Sequence, residues 1–222
     1  MVHVHLHRTL LALYVYLLVD SHHEVVAVDA LQYAFYFLSV LIEYLDFLPD
    51  DDETLVQTLS DLLSEGGCAC VLRDTVARAQ ATYRMLRESL CGVLDEAQVR
   101  LMHSRFIAAD RLGNDAELLK LLGPDSSMRP SKLIVVGTQV IEQSLDIDFD
   151  VMITDIAPVD LLLQRMGRLH RHARGKGQCE RPERLRRACC YVTGAEDWTV
   201  DPPTFACGVG KVYSEALLLR TV

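Results

Sequence analysis

The fold of this chain follows from one stretch, Gly137-Thr138-Gln139-Val140-Ile141-Glu142-Gln143-Ser144-Leu145-Asp146-Ile147-Asp148, and from the apolar run at 132–136 before it. A short apolar run of this kind is typical of a strand buried in a parallel sheet. A threonine after such a strand can give its hydroxyl and backbone N–H to a phosphate, and a following helix would point its positive N-terminus at that anion. Taken alone, the stretch is better explained by an ordinary helix cap at Thr138 and a turn at 146–148.

Short apolar runs alternate with helical periodicity on both sides of this stretch. The predicted strands are 68–72, 99–102, 132–136, 151–154 and 189–192, and the predicted helices are 54–64, 75–89, 108–122 and 160–166. This alternation predicts an α/β fold, a parallel sheet with helices on both faces. Ligands of such sheets bind outside the carboxyl ends of the strands, so we expect one functional edge to carry the loops after Leu72, Met102, Val136 and Thr154.

The chain divides into three predicted segments. Residues 1–48 form a hydrophobic, mainly helical segment, and an acidic, turn-prone break at 49–53 separates it from the α/β domain at 54–195. Residues 196–222 begin a C-terminal accessory region. The uncharged runs at 9–19 and 30–42 are shorter than the ~18–20 residues that span a bilayer, so no membrane segment is predicted. A signal peptide is the alternative for the first segment, but the rest of the chain is typical of a cytoplasmic protein.

Composition and charge narrow the classes of function. Half of the 222 residues are hydrophobic and 24% are charged, which indicates a folded core rather than disorder. The net charge of −9 argues against a basic protein that coats nucleic acid. Residues 164–187 nevertheless hold nine arginine or lysine residues and two glutamates, a local net charge of +7. A basic stretch on an acidic body indicates a specific anionic ligand. The spacing of the seven cysteines fits neither a zinc ribbon nor a disulfide scaffold, and reduced thiols are expected.

The basic stretch begins with Gln164-Arg165-Met166-Gly167-Arg168-Leu169-His170-Arg171-His172. Arginines at i, i+3 and i+6 would form a loose cationic stripe on a helix, and a solvated helix face is the plain alternative. Gly167 interrupts the helix, however, so the later arginines can sit on a turn and project together. Planar guanidinium groups suit a triphosphate that loses its terminal phosphoryl group.

Two more stretches of the sequence resemble known motifs. Leu101-Met102-His103-Ser104-Arg105-Phe106 resembles motif IV of superfamily-two helicases, and the run at 74–80 resembles the Asn-Thr-Val element upstream of it. The stretches at 137–148 and 164–172 resemble motifs V and VI. Together with the run at 154–165, the set is similar to the CRISPR-associated helicase–nuclease of type I systems, which the crRNA surveillance complex recruits to shred invading DNA. The resemblance covers roughly Asp50 to the C-terminus and implies the second RecA-like domain only.

The resemblance implies nucleotide-binding roles for five residues. Arg168 and Arg171 are the expected arginine fingers, which reach the γ-phosphate of ATP held with Mg²⁺ by the first RecA-like domain. Asp146 is expected to contact the ATP ribose. Gln164 and Arg165 are expected to support nucleotide or interdomain contacts.

The remaining matches point to nucleic acid. Four residues are expected to contact the backbone of single-stranded DNA: Thr75, Ser104, Arg105 and Thr138. Glu142 is expected to link the DNA site to the nucleotide site. Asp74 departs from the family, which usually has Asn there, and a carboxylate would weaken a nearby phosphate contact.

Several elements of a complete enzyme are missing from this sequence. It contains no Gly-x-x-x-x-Gly-Lys-Ser/Thr, no intact Asp-Glu-x-His and no His-Asp nuclease signature, and no metal ligands are predicted. The run at 23–30 resembles a decayed motif II, which would make residues 1–48 a remnant of the first motor domain. An amphipathic segment of unrelated origin is the alternative.

Three hypotheses of function follow. The first is the C-terminal motor half of an ATP-dependent DNA helicase or translocase in CRISPR defence, completed by a first RecA-like domain in cis or in trans. The second is a non-catalytic remnant that binds a nucleic acid or a partner without hydrolysing ATP. The third is a small-molecule α/β enzyme, which the arginine motif disfavours.

Overall fold

A computed structural model describes residues 45–92, 98–106, 108–125, 127–141, 145–200, 202–205, 212–219 and 221. The predictions for residues 1–44, for the run at 23–30 and for Glu142 fall outside the described residues. Within the described ranges, no helix is long and apolar enough to cross a membrane.

Eight strands and five helices make up the described part of the chain. The strands are β1 (Leu45–Phe47), β2 (Gly67–Leu72), β3 (Val99–Met102), β4 (Lys132–Gly137), β5 (Val151–Asp155), β6 (Cys189–Thr193), β7 (Ala195–Asp197) and β8 (Thr204–Phe205). The helices are α1 (Asp52–Leu62), α2 (Val76–Ser89), α3 (Ala108–Leu122), α4 (Val159–Met166) and α5 (Glu215–Leu218). The predicted strands and helices between residues 54 and 192 are therefore all present, within two residues of their predicted ends.

Six strands form one parallel sheet in the order β1-β6-β5-β2-β4-β3. This is the predicted α/β architecture, and it is the RecA-like fold. Strand β1 was not predicted. It pairs with β6, with Leu45 opposite Cys190, so the sheet begins before the predicted domain boundary at residue 54. Strands β7 and β8 form a separate antiparallel pair in the predicted accessory region.

Helices cover both faces of the sheet, as predicted. Successive side chains of a strand point to opposite faces, so β2 sends Cys70 and Leu72 into one core and Val71 into the other. Helices α3 and α4 pack in the first core, and α1 and α2 pack in the second. Because both faces are covered, β2 is buried along its whole length. This burial explains why the central strands are continuous apolar runs in the sequence.

Candidate nucleotide and nucleic-acid site

Three loops meet at the carboxyl edge of the sheet, after β2, β3 and β4. They carry the residues that were predicted to contact DNA: Thr75, Ser104, Arg105 and Thr138. Ser104 and Arg105 are exposed, whereas Thr138 is 2% exposed and its N–H donates to the Met102 carbonyl at 3.1 Å. The Thr75 hydroxyl caps helix α2 by accepting a hydrogen bond from Arg78 N–H at 3.2 Å. The loops lie on one edge as expected, and Ser104 and Arg105 are its most accessible groups.

The turn after β4 is tightly packed. A Cβ atom on Gly137 would lie 2.3 Å from Ile141 Cδ1, so no larger residue fits without moving the turn. Ile141 itself is fully buried and ends the short 3-10 helix Gln139–Ile141. Glycine at this position therefore lets the backbone turn directly at Thr138.

The arginine motif lies elsewhere, because α4 runs from the carboxyl edge towards the amino edge of the sheet. Beyond α4 the chain pairs in parallel with the segment before β5, through a bridge between Phe149 and Leu169. Phe149 N–H donates to the Arg168 carbonyl at 2.9 Å, and His170 N–H donates to the Phe149 carbonyl at 3.0 Å. We call residues 145–150 the aspartate segment and residues 167–181 the arginine segment. Asp146, Arg168 and Arg171 thus lie beyond the C-terminal end of α4, whereas the predicted DNA-binding residues lie at the carboxyl edge of the sheet.

Arg171 and Asp146 face each other across these two segments. Arg171 Nε donates to Asp146 Oδ1 at 2.5 Å, and the two side chains are 40% and 48% exposed. This hydrogen bond is the main reason that the pKa of Asp146 lies below its ordinary value. Arg168 is half-buried, and burial together with the charge of Arg171 lowers its pKa. Asp146, Arg168 and Arg171 therefore occupy one surface, on which the two guanidinium groups lie close enough to repel each other.

A cluster of five charged residues packs in the interior beneath this surface. Asp148 accepts hydrogen bonds from Arg174 Nε at 2.9 Å and from Arg181 Nη2 at 3.0 and 2.9 Å. Arg181 also donates to Asp150, whose carboxylate lies 2.9 Å from Arg129 Nη2. The surrounding arginines hold the pKa of Asp150 below its ordinary value although burial raises it. Part of the basic stretch thus neutralises carboxylates inside the protein, which corrects the interpretation of the whole stretch as a site for an external anion.

Arg165, on the last turn of α4, is buried, and its side chain reaches back to the carboxyl edge of the sheet. It is 1% exposed, and its Nη1 donates to Thr154 Oγ1 at 2.7 Å and to the Asp155 carbonyl at 2.9 Å. Its Nη2 donates to Asp74 Oδ1 at 3.1 Å. In this arrangement Arg165 has no exposed group to offer a nucleotide, which differs from the role that the resemblance implies. Its neighbour Gln164 is exposed.

Asp74 and Asp155 are two buried carboxylates that form ion pairs with three arginines, Asp155 with two of them and Asp74 with the third. Asp155 accepts from Arg73 Nη1 at 2.7 Å and from Arg78 Nη2 at 3.0 Å, and these guanidinium groups keep its pKa low. Asp74 has Arg165 as its direct ion-pair partner, and burial and the charge of Asp155 raise the pKa of Asp74 to about 7. The proton belongs on Asp74 because Asp155 has the stronger set of donors.

This difference predicts how stability depends on pH. The folded-state pKa of Asp74 is above its ordinary value of 3.8, so its contribution to stability is present at about pH 4 and is lost as the pH rises through 7. We expect the unfolding free energy of Asp74→Asn, relative to that of the native chain, to rise between about pH 4 and pH 7 with a slope of at most about 1.4 kcal/mol per pH unit, and to level off above pH 7. Urea denaturation at pH 5, 6, 7 and 8 measures this difference, and a difference that is constant with pH would contradict the assignment.

ATP and a metal ion would need different groups from this part of the chain. The described residues contain no group of three or more histidine, cysteine, aspartate or glutamate side chains placed to hold a metal ion. The exposed pair of Asp146 and Arg171 offers a carboxylate for a hydroxyl group and a guanidinium group for a phosphate. Asp146 and Arg171 therefore fit the contacts of a nucleotide that another domain holds.

Comparisons with known proteins point to one family. Residues 65–174 match the family described as CRISPR-associated nuclease/helicase Cas3, C-terminal. The CRISPR-associated nuclease/helicase Cas3 of Streptococcus thermophilus is 40% identical over 178 residues, which cover 80% of this chain and 18% of that relative. The chain thus spans about a fifth of the length of the curated relatives that it matches.

Solved structures agree with the sequence comparison. A crystal structure of T. fusca Cas3-ATP aligns with a TM-score of 0.70 and 35% identity over 79% of this chain and 20% of that chain. A CRISPR RNA-guided surveillance complex, pre-nicking, contains a chain that aligns with a TM-score of 0.68 and 33% identity, over 80% of this chain and 21% of that one. This chain therefore belongs to the CRISPR-associated nuclease/helicase Cas3 family, of which it carries a C-terminal, RecA-like part.

Proposed function

We propose that this chain acts as the C-terminal motor half of an ATP-dependent DNA helicase or translocase in CRISPR defence. The observation that carries the proposal is the exposed pair of Arg171 and Asp146, beside Arg168, on a surface held in shape by the buried arginine–aspartate cluster. Arg168 and Arg171 would contact the γ-phosphate of bound ATP as arginine fingers. Asp146 would then accept a hydrogen bond from the ATP ribose in place of the one from Arg171. A first RecA-like domain supplies the phosphate loop and Mg²⁺.

The carboxyl edge is the proposed site for single-stranded DNA. Hydroxyl groups, backbone N–H groups and arginine are the groups that contact phosphates in such complexes, and all three occur on these loops. Ser104 and Arg105 are exposed there, and Thr75 and Thr138 lie on the neighbouring loops. Exposed Gln164 is assigned to the interface with the first domain, and Glu142 to coupling between the two sites.

The proposed partner and cofactor are inferred from two structural neighbours. One structural neighbour is part of a CRISPR RNA-guided surveillance complex, and another is the crystal structure of T. fusca Cas3-ATP. We therefore propose the crRNA surveillance complex as the recruiting partner, ATP with Mg²⁺ as the cofactor of the complete enzyme, and the cytoplasm as its location. The second candidate is a non-catalytic module that binds a nucleic acid or a partner without hydrolysing ATP.

Binding of single-stranded DNA tests the carboxyl edge directly. We expect the chain to bind a fluorescent oligodeoxythymidine weakly, with an affinity that falls as salt rises, because phosphate contacts release counterions. Arg105→Ala should weaken binding by about threefold to tenfold and flatten the slope of log affinity against log salt by about 0.7, the value for one contact to a single strand. Fluorescence anisotropy over a range of salt concentrations measures both quantities.

Arg184→Ala is the matched control for this measurement. Arg184 is an exposed arginine that lies 3.9 Å from Glu65, at the amino edge of the sheet before β2. Its substitution should leave the affinity and the salt slope unchanged. Equal losses in the two variants would indicate general attraction to positive charge rather than a site.

A further inference from the structure

Four side chains from distant parts of the sequence close a ring of hydrogen bonds at the carboxyl edge. Arg165 donates from Nη2 to Asp74 Oδ1 at 3.1 Å and lies 3.5 Å from the Tyr213 hydroxyl. Gln139 donates from Nε2 to the Asp74 carbonyl at 3.1 Å and lies 3.5 Å from the same hydroxyl. We call these four residues the carboxyl-edge ring. It joins the loop after β2, the turn after β4, helix α4 and the C-terminal segment.

The carboxyl-edge ring is connected to both proposed sites through the chain. Asp74 and Gln139 are sequence neighbours of the two threonines that we assign to DNA. Arg165 lies on the last turn of α4, and its carbonyl accepts the N–H of Arg168 at 2.9 Å. Helix α4 has eight residues and is about 12 Å long, so a shift at Arg165 moves the start of the arginine segment with it.

Two features make the ring easy to rearrange. Among the described residues no donor reaches Asp74 Oδ2, although this oxygen is buried, and a buried acceptor without a donor is costly. The contacts of the Tyr213 hydroxyl with Arg165 and Gln139, at 3.5 Å, are at the long limit for a hydrogen bond. A small displacement can therefore exchange the long contacts that the Tyr213 hydroxyl makes within the ring.

We propose that Asp74 and Tyr213 are positioning residues that transmit DNA binding at the carboxyl edge to the arginine segment through Arg165. This inference rests on the proposed function, since it requires both a DNA site and a nucleotide role for Arg171. A phosphate that binds beside Asp74 adds negative charge next to its carboxylate, favours its neutral form and weakens its hold on Arg165. The charged and titratable groups that face Asp74 are Asp155 on β5, Arg78 on α2, and Arg165 with the Tyr213 hydroxyl beside it.

The proposal can be tested by nuclear magnetic resonance on the ¹⁵N-labelled chain. Oligodeoxythymidine is titrated into the native chain and into Tyr213→Phe and Asp74→Asn. The Thr138 amide reports DNA binding, and the Arg171 Nε–H, which donates to Asp146, reports the arginine segment. Tyr83→Phe is the matched control, because its hydroxyl also accepts a hydrogen bond from an arginine, Arg87 at 3.1 Å, but lies on α2 outside the ring.

The native chain and Tyr83→Phe should show both signals moving with one affinity. In Tyr213→Phe and Asp74→Asn the movement of the Arg171 signal, per fraction of DNA bound, should shrink at least about threefold. An Arg171 signal that moves equally in all four proteins would overturn the proposal, as would a native chain in which only Thr138 responds. A native chain that binds no DNA would refute the DNA site itself, and the positioning role would fall with it.

Discussion

The chain alone should hydrolyse no ATP above background, and adding a first motor domain should create an ATPase that depends on Arg171. The phosphate loop and the metal site supply most of the charge stabilisation in phosphoryl transfer, and the sequence contains no phosphate loop. Arginine fingers contribute roughly 10³-fold or more to the rate. In the reconstituted enzyme, Arg171→Ala and Arg168→Ala should each lower kcat by about this factor.

Phosphate release from a mixture of the chain with the first motor domain of the Streptococcus thermophilus relative, in the presence of single-stranded DNA, measures this effect. Arg184→Ala is the control, because Arg184 is 59% exposed and its nearest carboxylate is Glu65 at 3.9 Å. It should leave kcat unchanged. Hydrolysis by the chain alone that Arg168→Ala abolishes would refute the need for a first motor domain. A reconstituted activity that survives both substitutions would refute the finger role.

Removing Asp148 should destabilise the fold more than removing an exposed carboxylate. Asp148 is fully buried and pairs with Arg174 and Arg181, so Asp148→Ala leaves two buried cations without their main partner. Breaking a buried ion pair from one side costs about 3–5 kcal/mol. We expect the unfolding free energy of Asp148→Ala to fall by at least this amount.

Urea denaturation followed by the fluorescence of Trp198, the single tryptophan, measures the loss. Glu117→Ala is the matched control. Glu117 accepts two hydrogen bonds from Arg100, at 2.7 and 3.3 Å, but the two side chains are 48% and 36% exposed. Solvent screens such a pair, so its loss should cost less than about 1 kcal/mol. Similar losses in the two variants would show that the buried cluster is not a main support of the fold.

The sequence predicted the sheet well because its central strands are buried on both faces. A strand of this kind is a continuous apolar run, and the predicted bounds of β3 and α3 are those observed. Strand β1 was missed for a physical reason. It has three residues, lies beside an acidic turn, and pairs with β6 about 140 residues later, so no local pattern indicates it.

The candidate site was harder to predict because charge alone does not reveal burial. Arg165, Arg168 and Arg171 are equally spaced in the sequence, yet Arg165 is enclosed at the start of this series and Arg171 is exposed at its end. The difference arises from tertiary contacts with Asp74 and Thr154, which come from other loops. The alternating aspartates at 146, 148 and 150 were the one available signal of the internal arginine cluster.

The bridge between Phe149 and Leu169 also limits where residues can be inserted into this chain or deleted from it. Asp146, Asp148 and Asp150 occur at every second position, and each carboxylate contacts arginines of the arginine segment or of its surroundings. Alternate residues of an extended segment share a side, so one inserted residue between Asp146 and Asp150 would turn part of the series away from its partners. We therefore expect deletions and insertions not to be tolerated inside the aspartate segment, where the number of residues sets which arginine meets which carboxylate.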